Sequence, residues 1–301
     1  MVKGLVTIAS GLTAPSQIAV DCQSVYWISG GAGTLVMKAP IGGGTPTTLA
    51  SGQDGQSGIS IDSTSVYWTA AGMLRKVPIA GGVVTTLVPD TPTDGGGPLL
   101  PQEVVVHDDY VYFIDEDTTD QLNLQNLLMR VPSGGGAPST LVPEGQGLQG
   151  AALGAPFAVD DSFVYWVGNF GNGEAMKTPI GGGAAITLGP GPGGNLAVDS
   201  KFLYWVSGSV GKIPLAGGAS TTLAGNVTGP QEQTAGPGIA VDSSFVYWTN
   251  ESGGTVEKVP LNGGAVITLA SDQGFPSGLA IDDHSVYWAN TAGTIMQLTP
   301  K

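Results

Sequence analysis

The stretch Gly238-Ile239-Ala240-Val241-Asp242-Ser243-Ser244-Phe245-Val246-Tyr247-Trp248-Thr249 sets two short β-branched and aromatic runs on either side of an Asp-Ser-Ser turn. Runs of this length and composition, bounded by turn residues, read as a pair of adjacent strands. A third run, Thr255-Val256-Glu257-Lys258-Val259-Pro260-Leu261, and a fourth, Ala265-Val266-Ile267-Thr268-Leu269, follow directly. Asn262-Gly263-Gly264 joins the last two and is a hairpin signal that needs positive φ. The proline that ends the third run suits a strand terminus. Bulky residues on both faces of these strands predict a four-stranded sheet covered on each side, with Val246 and Trp248 turned to one neighbour and Tyr247 to the other.

The same unit recurs along the chain. Seven copies place their tyrosines at Tyr26, Tyr67, Tyr112, Tyr165, Tyr204, Tyr247 and Tyr287, at intervals of 41, 45, 53, 39, 43 and 40 residues. A period near forty residues with aromatic and glycine punctuation marks radially repeated four-stranded sheets, so the expected fold is an all-β, seven-bladed β-propeller. No segment outside the repeat is long enough for a second core, and residues 1–301 are expected to form one domain. After Thr294-Ile295-Met296-Gln297-Leu298 only Thr299-Pro300-Lys301 remain, so the last blade lacks a fourth strand. Leu5-Val6-Thr7-Ile8-Ala9-Ser10 matches Thr47-Thr48-Leu49-Ala50-Ser51 and is expected to supply it. That closure removes an open sheet edge.

Composition narrows the partners. The formal net charge is −14, which argues against nucleic acid and anionic membrane surfaces, since both call for a basic patch. Six of the ten basic residues fall at one repeat position: Lys38, Lys76, Arg130, Lys177, Lys212 and Lys258. They read as charges that dress an exposed strand and discourage edge pairing. Seven acids share another position: Asp21, Asp62, Asp108, Asp160, Asp199, Asp242 and Asp282. An aspartate at a strand end can accept from the N–H groups of the following turn. Cys22 is the single cysteine, so no internal disulfide forms, and it reads as an inert small residue. No run of eighteen apolar residues and no signal-peptide core follows Met1. Membrane insertion is not expected. An extracellular, periplasmic or cell-envelope setting with the leader removed, and a monomer, are.

Val66-Tyr67-Trp68-Thr69-Ala70 and Val246-Tyr247-Trp248-Thr249-Asn250 resemble the YWTD propellers of lipoprotein-receptor type. Ala70 and Asn250 stand where that family has Asp, only Ile114-Asp115 keeps an acid there, and that family has six blades. Whole blades such as residues 238–264 also resemble bacterial NHL- and streptogramin-lyase-type propellers. These resemblances imply a scaffold that binds ligands on its faces, and they carry over no catalytic residue.

Function is sought where the repeat breaks. Long insertions at Asp90–Pro101, Asp115–Asn126, Glu144–Pro156, Gly168–Glu174 and Gly225–Pro237 are all expected on one face, while connections on the other face stay short. Such variation builds a binding surface, or else reflects drift where nothing constrains a loop. Residues just before the innermost strands are expected to rim the central channel: Gln17, Gln56, Gln102, Glu103, Asn195 and Ser277, with Phe157 and Phe275 nearby. Asn169 and Phe170 join them from the blade-four insertion. Amides beside aromatics suit a protein, peptide or glycan ligand, and equally suit water in the channel. Asp115, Glu116, Asp117 and Asp120 form the one dense acidic cluster, either a set of oxygen ligands for Ca²⁺ or a solvated loop, and no other cofactor is expected. The primary reading is a non-catalytic binding scaffold. A lyase or hydrolase using Glu103 with the acidic loop is a second, and a multivalent lectin a third. His107 and His284 fall in short turns on the opposite face, away from such chemistry. The Gly42–Gly44, Gly134–Gly136 and Gly181–Gly183 runs follow strands and precede strands, so they are not phosphate loops. Asn226-Val227-Thr228 and Asn250-Glu251-Ser252 match the N-glycosylation pattern.

Overall fold

The structure is a computed structural model describing residues 4–30, 33–53, 58–89, 101–116, 126–142, 157–168, 173–191, 193–225, 227 and 238–301, with the side chains of Gln102 and Glu116 outside that description. Among the described residues there are strands and turns and no helix. Strand β1 is Leu5–Ser10. Blade one holds β2 (Pro15–Val20), β3 (Ser24–Ser29), β4 (Leu35–Pro40) and β5 (Thr47–Ala50). Blade two holds β6 (Ile59–Ile61), β7 (Ser65–Ala70), β8 (Met73–Pro78) and β9 (Thr85–Val88). Blade three holds β10 (Pro101–His107), β11 (Tyr110–Glu116), β12 (Asn126–Pro132) and β13 (Ser139–Thr140). Blade four holds β14 (Phe157–Val159), β15 (Phe163–Gly168), β16 (Glu174–Pro179) and β17 (Ile186–Pro190). Blade five holds β18 (Asn195–Val198), β19 (Phe202–Val206), β20 (Ser209–Pro214) and β21 (Thr221–Gly225). Blade six holds β22 (Ile239–Val241), β23 (Phe245–Asn250), β24 (Thr255–Pro260) and β25 (Ile267–Ala270). Blade seven holds β26 (Pro276–Ile281), β27 (Val286–Asn290) and β28 (Thr294–Leu298), and its order is β1-β28-β27-β26. The fold is a seven-bladed β-propeller of four-stranded antiparallel sheets. The N-terminal strand completes the last blade, with Leu5 opposite Leu298 and Ser10 opposite Thr294.

The chain divides into two compact units, residues 1–54, 204–211 and 222–301 in one, and 55–203 and 212–221 in the other. Each unit shows the same packing rule. In the first, Tyr247 shares a cluster with Trp288, and Tyr287 shares one with Trp27. In the second, Tyr67 clusters with Phe113, and Tyr112 with Trp166. Each of these four tyrosines thus shares a core cluster with the following blade's Trp-position ring. This is the alternation of side chains across a strand applied to a sheet buried on both faces. Phe113 fills the Trp position in the one copy that lost it and is fully buried there.

The repeated aspartates act as expected in six blades. Asp21, Asp62, Asp160, Asp199, Asp242 and Asp282 each accept, through Oδ1, the backbone N–H groups two and three residues on. In blades one, two, four, six and seven the other oxygen accepts the tyrosine hydroxyl at 2.7–2.9 Å, from Tyr26, Tyr67, Tyr165, Tyr247 and Tyr287 respectively. Blade three departs. Its Asp108 has φ +50°, and Tyr112 lies opposite Arg130 on the neighbouring strand.

The basic row does not dress an edge. Lys76 Nζ donates to Ser133 O at 2.6 Å, Arg130 Nη1 to Ile180 O at 2.8 Å, and Lys177 Nζ to Leu215 O at 2.7 Å. Each reaches the residue after the third-strand proline of the next blade. Gln297 holds the same place in blade seven and accepts from Gly42 N at 2.9 Å. The stems cross aromatic rings on the way, with Lys177 over Phe163 at 4.2 Å and Lys258 over Phe245 at 4.1 Å. A third strand in this fold lies inside the sheet, so its long cations snorkel between blades instead of facing water.

Candidate functional site

The two ends of each sheet differ. Antiparallel order puts the first-to-second and third-to-fourth strand connections at one end, and the second-to-third and fourth-to-first connections at the other. At the first end the third-to-fourth connection is six residues in every complete copy: 41–46, 79–84, 133–138, 180–185, 215–220 and 261–266. The first-to-second connections there are two to four residues long. At the opposite end lengths run from the two residues 71–72 to the sixteen residues 141–156, with 89–100, 117–125 and 226–238 also long. We call these the turn end and the loop end.

Gln17 and Glu103 lie within innermost strands, not before them as the sequence suggested. Both sit in register shifts: Pro15 pairs Ser29 and Ile18 pairs Trp27, while Pro101 pairs Asp115 and Val104 pairs Phe113. Ser277 and Gly278 occupy the same break in blade seven. A bulge frees such residues from the ladder and re-aims their side chains. The neighbouring strand comes close here. A Cβ on Gly278 would stand 3.1 Å from Gln17 Cα and from Ile18 N, and one on Gly58 would stand 2.8 Å from Val104 N. Glycine at these points is required by backbone approach.

Gln17 and Glu103 are half-buried. Burial pushes the Glu103 carboxyl up to about 8. Asn195 opens β18, is half-buried and already makes a side-chain or backbone interaction. Phe157 and Ser277 are buried, Phe157 in a core cluster and Ser277 with its hydroxyl on Ala289 O, so neither lines a ligand surface. Phe275 is 60% exposed and has φ +59°. Gln56, Asn169, Phe170, Asp117 and Asp120 lie outside the described residues, and of Gln102 only the backbone is described.

The acidic loop is shorter than its sequence suggested. Asp115 and Glu116 continue the β11–β12 ladder opposite Leu127 and Asn126, and Asp115 is only 4% exposed and already partnered. No group of three His, Cys, Asp or Glu side chains placed to hold a metal ion occurs among the described residues.

His107 ends β10 instead of lying in the turn, and its Nε2 stands 3.1 Å from Asp161 Oδ1 and 3.7 Å from Asp108 Oδ2. His284 lies in the turn, where its N–H is taken by Asp282. Cys22 is free and exposed. Asn250 is 8% exposed and its Oδ1 accepts from Gly253 N at 3.1 Å, so the amide of that sequon serves a turn.

No protein-family model matches the chain, and no curated protein matches it. Solved structures do. Virginiamycin B lyase from Staphylococcus aureus superposes with a TM-score of 0.71 at 15% identity, over 98% of each chain. The WD40 β-propeller domain of Doa1 gives 0.69 at 14% identity, over 99% of this chain and 98% of that one. A chain of the nidogen/laminin complex gives 0.53 at 15% identity, over 86% and 89%. At such identities the likeness is one of fold: the chain shares the propeller architecture of these proteins.

Proposed function

We propose that the chain is a non-catalytic binding scaffold, acting in an extracellular or cell-envelope setting, that recognises a protein or peptide through the loop end of its blades. Blades three and four carry the largest share of that surface, and a glycan is the other ligand class that the amide-bearing Gln17 and Asn195 suit. One observation carries the reading: every third-to-fourth connection keeps six residues, whereas loop-end connections vary from two to sixteen. A rigid repeat with one constant and one variable end is how solenoids and propellers build recognition surfaces. The fold is also that of the WD40 domain of Doa1 and of a chain in the nidogen/laminin complex, which is a protein–protein assembly.

The test is cross-linking mass spectrometry on proteins captured from envelope and supernatant fractions of the source organism. Cross-links to blades three and four at the loop end, lost when residues 89–100 and 141–156 are replaced by short turns, support the reading. Cross-links confined to the six-residue turns, or kept in the shortened variant, refute it.

A second reading is an enzyme with Glu103 as general base, and the carboxyl held near 8 at an inner-strand bulge favours it. It requires an activity that rises with pH up to about 8 and disappears in Glu103→Gln. An activity indifferent to that substitution removes it.

A further inference from the structure

Phe275 differs from every other described phenylalanine. Phe113 and Phe157 are buried in core clusters. Phe163, Phe202 and Phe245 each lie beneath a lysine ammonium, 4.1–4.2 Å from the ring centroid. Phe275 is 60% exposed, and no cation among the described residues stands over it.

Backbone hydrogen bonds tie Phe275 through both its N–H and its carbonyl. Phe275 N donates to Gln273 O at 3.0 Å, and Phe275 O accepts from Thr291 N at 3.1 Å. The left-handed φ of +59° precedes Pro276, and Ala14, which precedes Pro15 in blade one, has φ +39° and a carbonyl that accepts from Gly30 N. Blades one and seven therefore share the conformation, and the aromatic ring is blade seven's. Gln273 fastens the same connection to the sheet: its Oε1 accepts from Trp288 Nε1 at 3.0 Å and Asn290 Nδ2 at 3.1 Å, and its Nε2 donates to Ser271 O at 2.8 Å. A connection tied this way is preorganised, so a partner meets an aromatic face that costs little ordering.

Charge indicates what covers it. Asp272, exposed and also left-handed with φ +57°, lies on the same five-residue connection, 271–275, in a chain of net charge −14. Asp272 Oδ2 accepts from Ser271 Oγ at 3.1 Å, and an exposed aromatic ring with a carboxylate three residues away on one tied connection favours a planar cation over a neutral or acidic group. We propose that Phe275 and Asp272 dock an arginine side chain of a basic protein or peptide partner, the guanidinium stacking on the ring while the carboxylate on the same connection adds charge attraction. This rests on the loop-end reading above and gives it a contact residue and a partner chemistry.

The test is calorimetric titration of the full chain with a blocked Gly-Arg-Gly-Gly-Arg-Gly peptide and its glutamate analogue, at low and at physiological salt. The arginine peptide should bind and the glutamate peptide should not. Phe275→Ala should weaken binding about fivefold or more, Phe275→Tyr should keep it, and Asp272→Asn should weaken it most at low salt. Phe275→Gly, which relieves the left-handed strain, guards against a backbone explanation and should match the alanine variant. Equal affinity in wild type and Phe275→Ala, or no binding by wild type, overturns the proposal. Hydrogen exchange with the peptide bound separates the two readings. Protection at loop-end connections with affinity unchanged in Phe275→Ala discards the Phe275 site alone. Protection at the six-residue turns discards both.

Discussion

Tyr247 donates its phenolic hydrogen to Asp242 Oδ2 over 2.9 Å, while Asp242 Oδ1 takes the N–H groups of Ser244 and Phe245. One carboxylate thus ties the middle of a second strand to the turn that starts it. Tyr247→Phe should cost about 1.5 kcal/mol, the low end for a hydrogen bond to a charged acceptor. Asp242→Ala should cost about 2–3 kcal/mol, since it strands a buried hydroxyl and two turn amides. Urea denaturation of both variants measures the order, and equal losses would deny the aspartate its central place.

The same pairs set limits in pH. Burial alone would raise the carboxyls of Asp62, Asp242 and Asp282, but hydrogen bonds from tyrosine and turn N–H groups, and Lys301 at Asp242, hold them below the ordinary range. A depressed carboxyl stabilises the fold above its unfolded value and loses that contribution as pH falls through the folded one. Their tyrosines are raised, first by burial and then by the aspartate, Tyr67 to about 12. That contribution is whole below the ordinary tyrosine value of 10.0 and fades as pH rises through the folded one. Melting temperature should therefore drop below about pH 4 and above about pH 10. Glu103 adds a slope between these limits. Its folded value of about 8 against an ordinary 4.5 means that stability declines as pH rises from 4.5 to 8. Glu103→Gln should flatten that interval, and an unchanged slope would show the carboxyl to be solvated.

Lys177 tests the basic row. It donates to Leu215 O at 2.7 Å and lies over Phe163 at 4.2 Å. Lys177→Met keeps the stem and should cost about 1–2 kcal/mol. A solvent-facing lysine would change stability by less than about 0.5 kcal/mol.

Gly278→Ala brings a methyl group within 3.1 Å of Gln17 Cα and Ile18 N, where backbone cannot yield cheaply. The expected loss is about 1–3 kcal/mol. Gly134→Ala, at a glycine with open space around it, is the control and should be near neutral.

The repeat made the scaffold legible. Val-Tyr-Trp, varied only to Val111-Tyr112-Phe113 and Leu203-Tyr204-Trp205, marked strand two of each blade, Asp242 and its counterparts marked the turn, and Leu5–Ser10 was readable as the missing strand because it repeats Thr47–Ser51. What the pattern could not resolve was direction in a sheet covered on both faces. Lys177 and Lys258 looked like surface charges because a period of two says nothing about which side is water. The bulges at Gln17 and Glu103 were hidden for a related reason, since a strand covered on both faces has no in–out alternation for one extra residue to break. Asp115 was misplaced into a loop because an acid run resembles a loop until its partner strand is known. Phe275 was found by its composition, but its exposure and left-handed backbone come from hydrogen bonds to Gln273 and Thr291 that no local pattern announces.

Hydrogen exchange across residues 5–10 tests the architecture most directly. The ladder from Leu5–Leu298 to Ser10–Thr294 predicts that the bonded amides of β1 exchange together with those of β28, and that both lose protection in the same unfolding event. Exchange of the β1 amides within seconds while β28 stays protected would contradict closure of the last blade by the N-terminal strand.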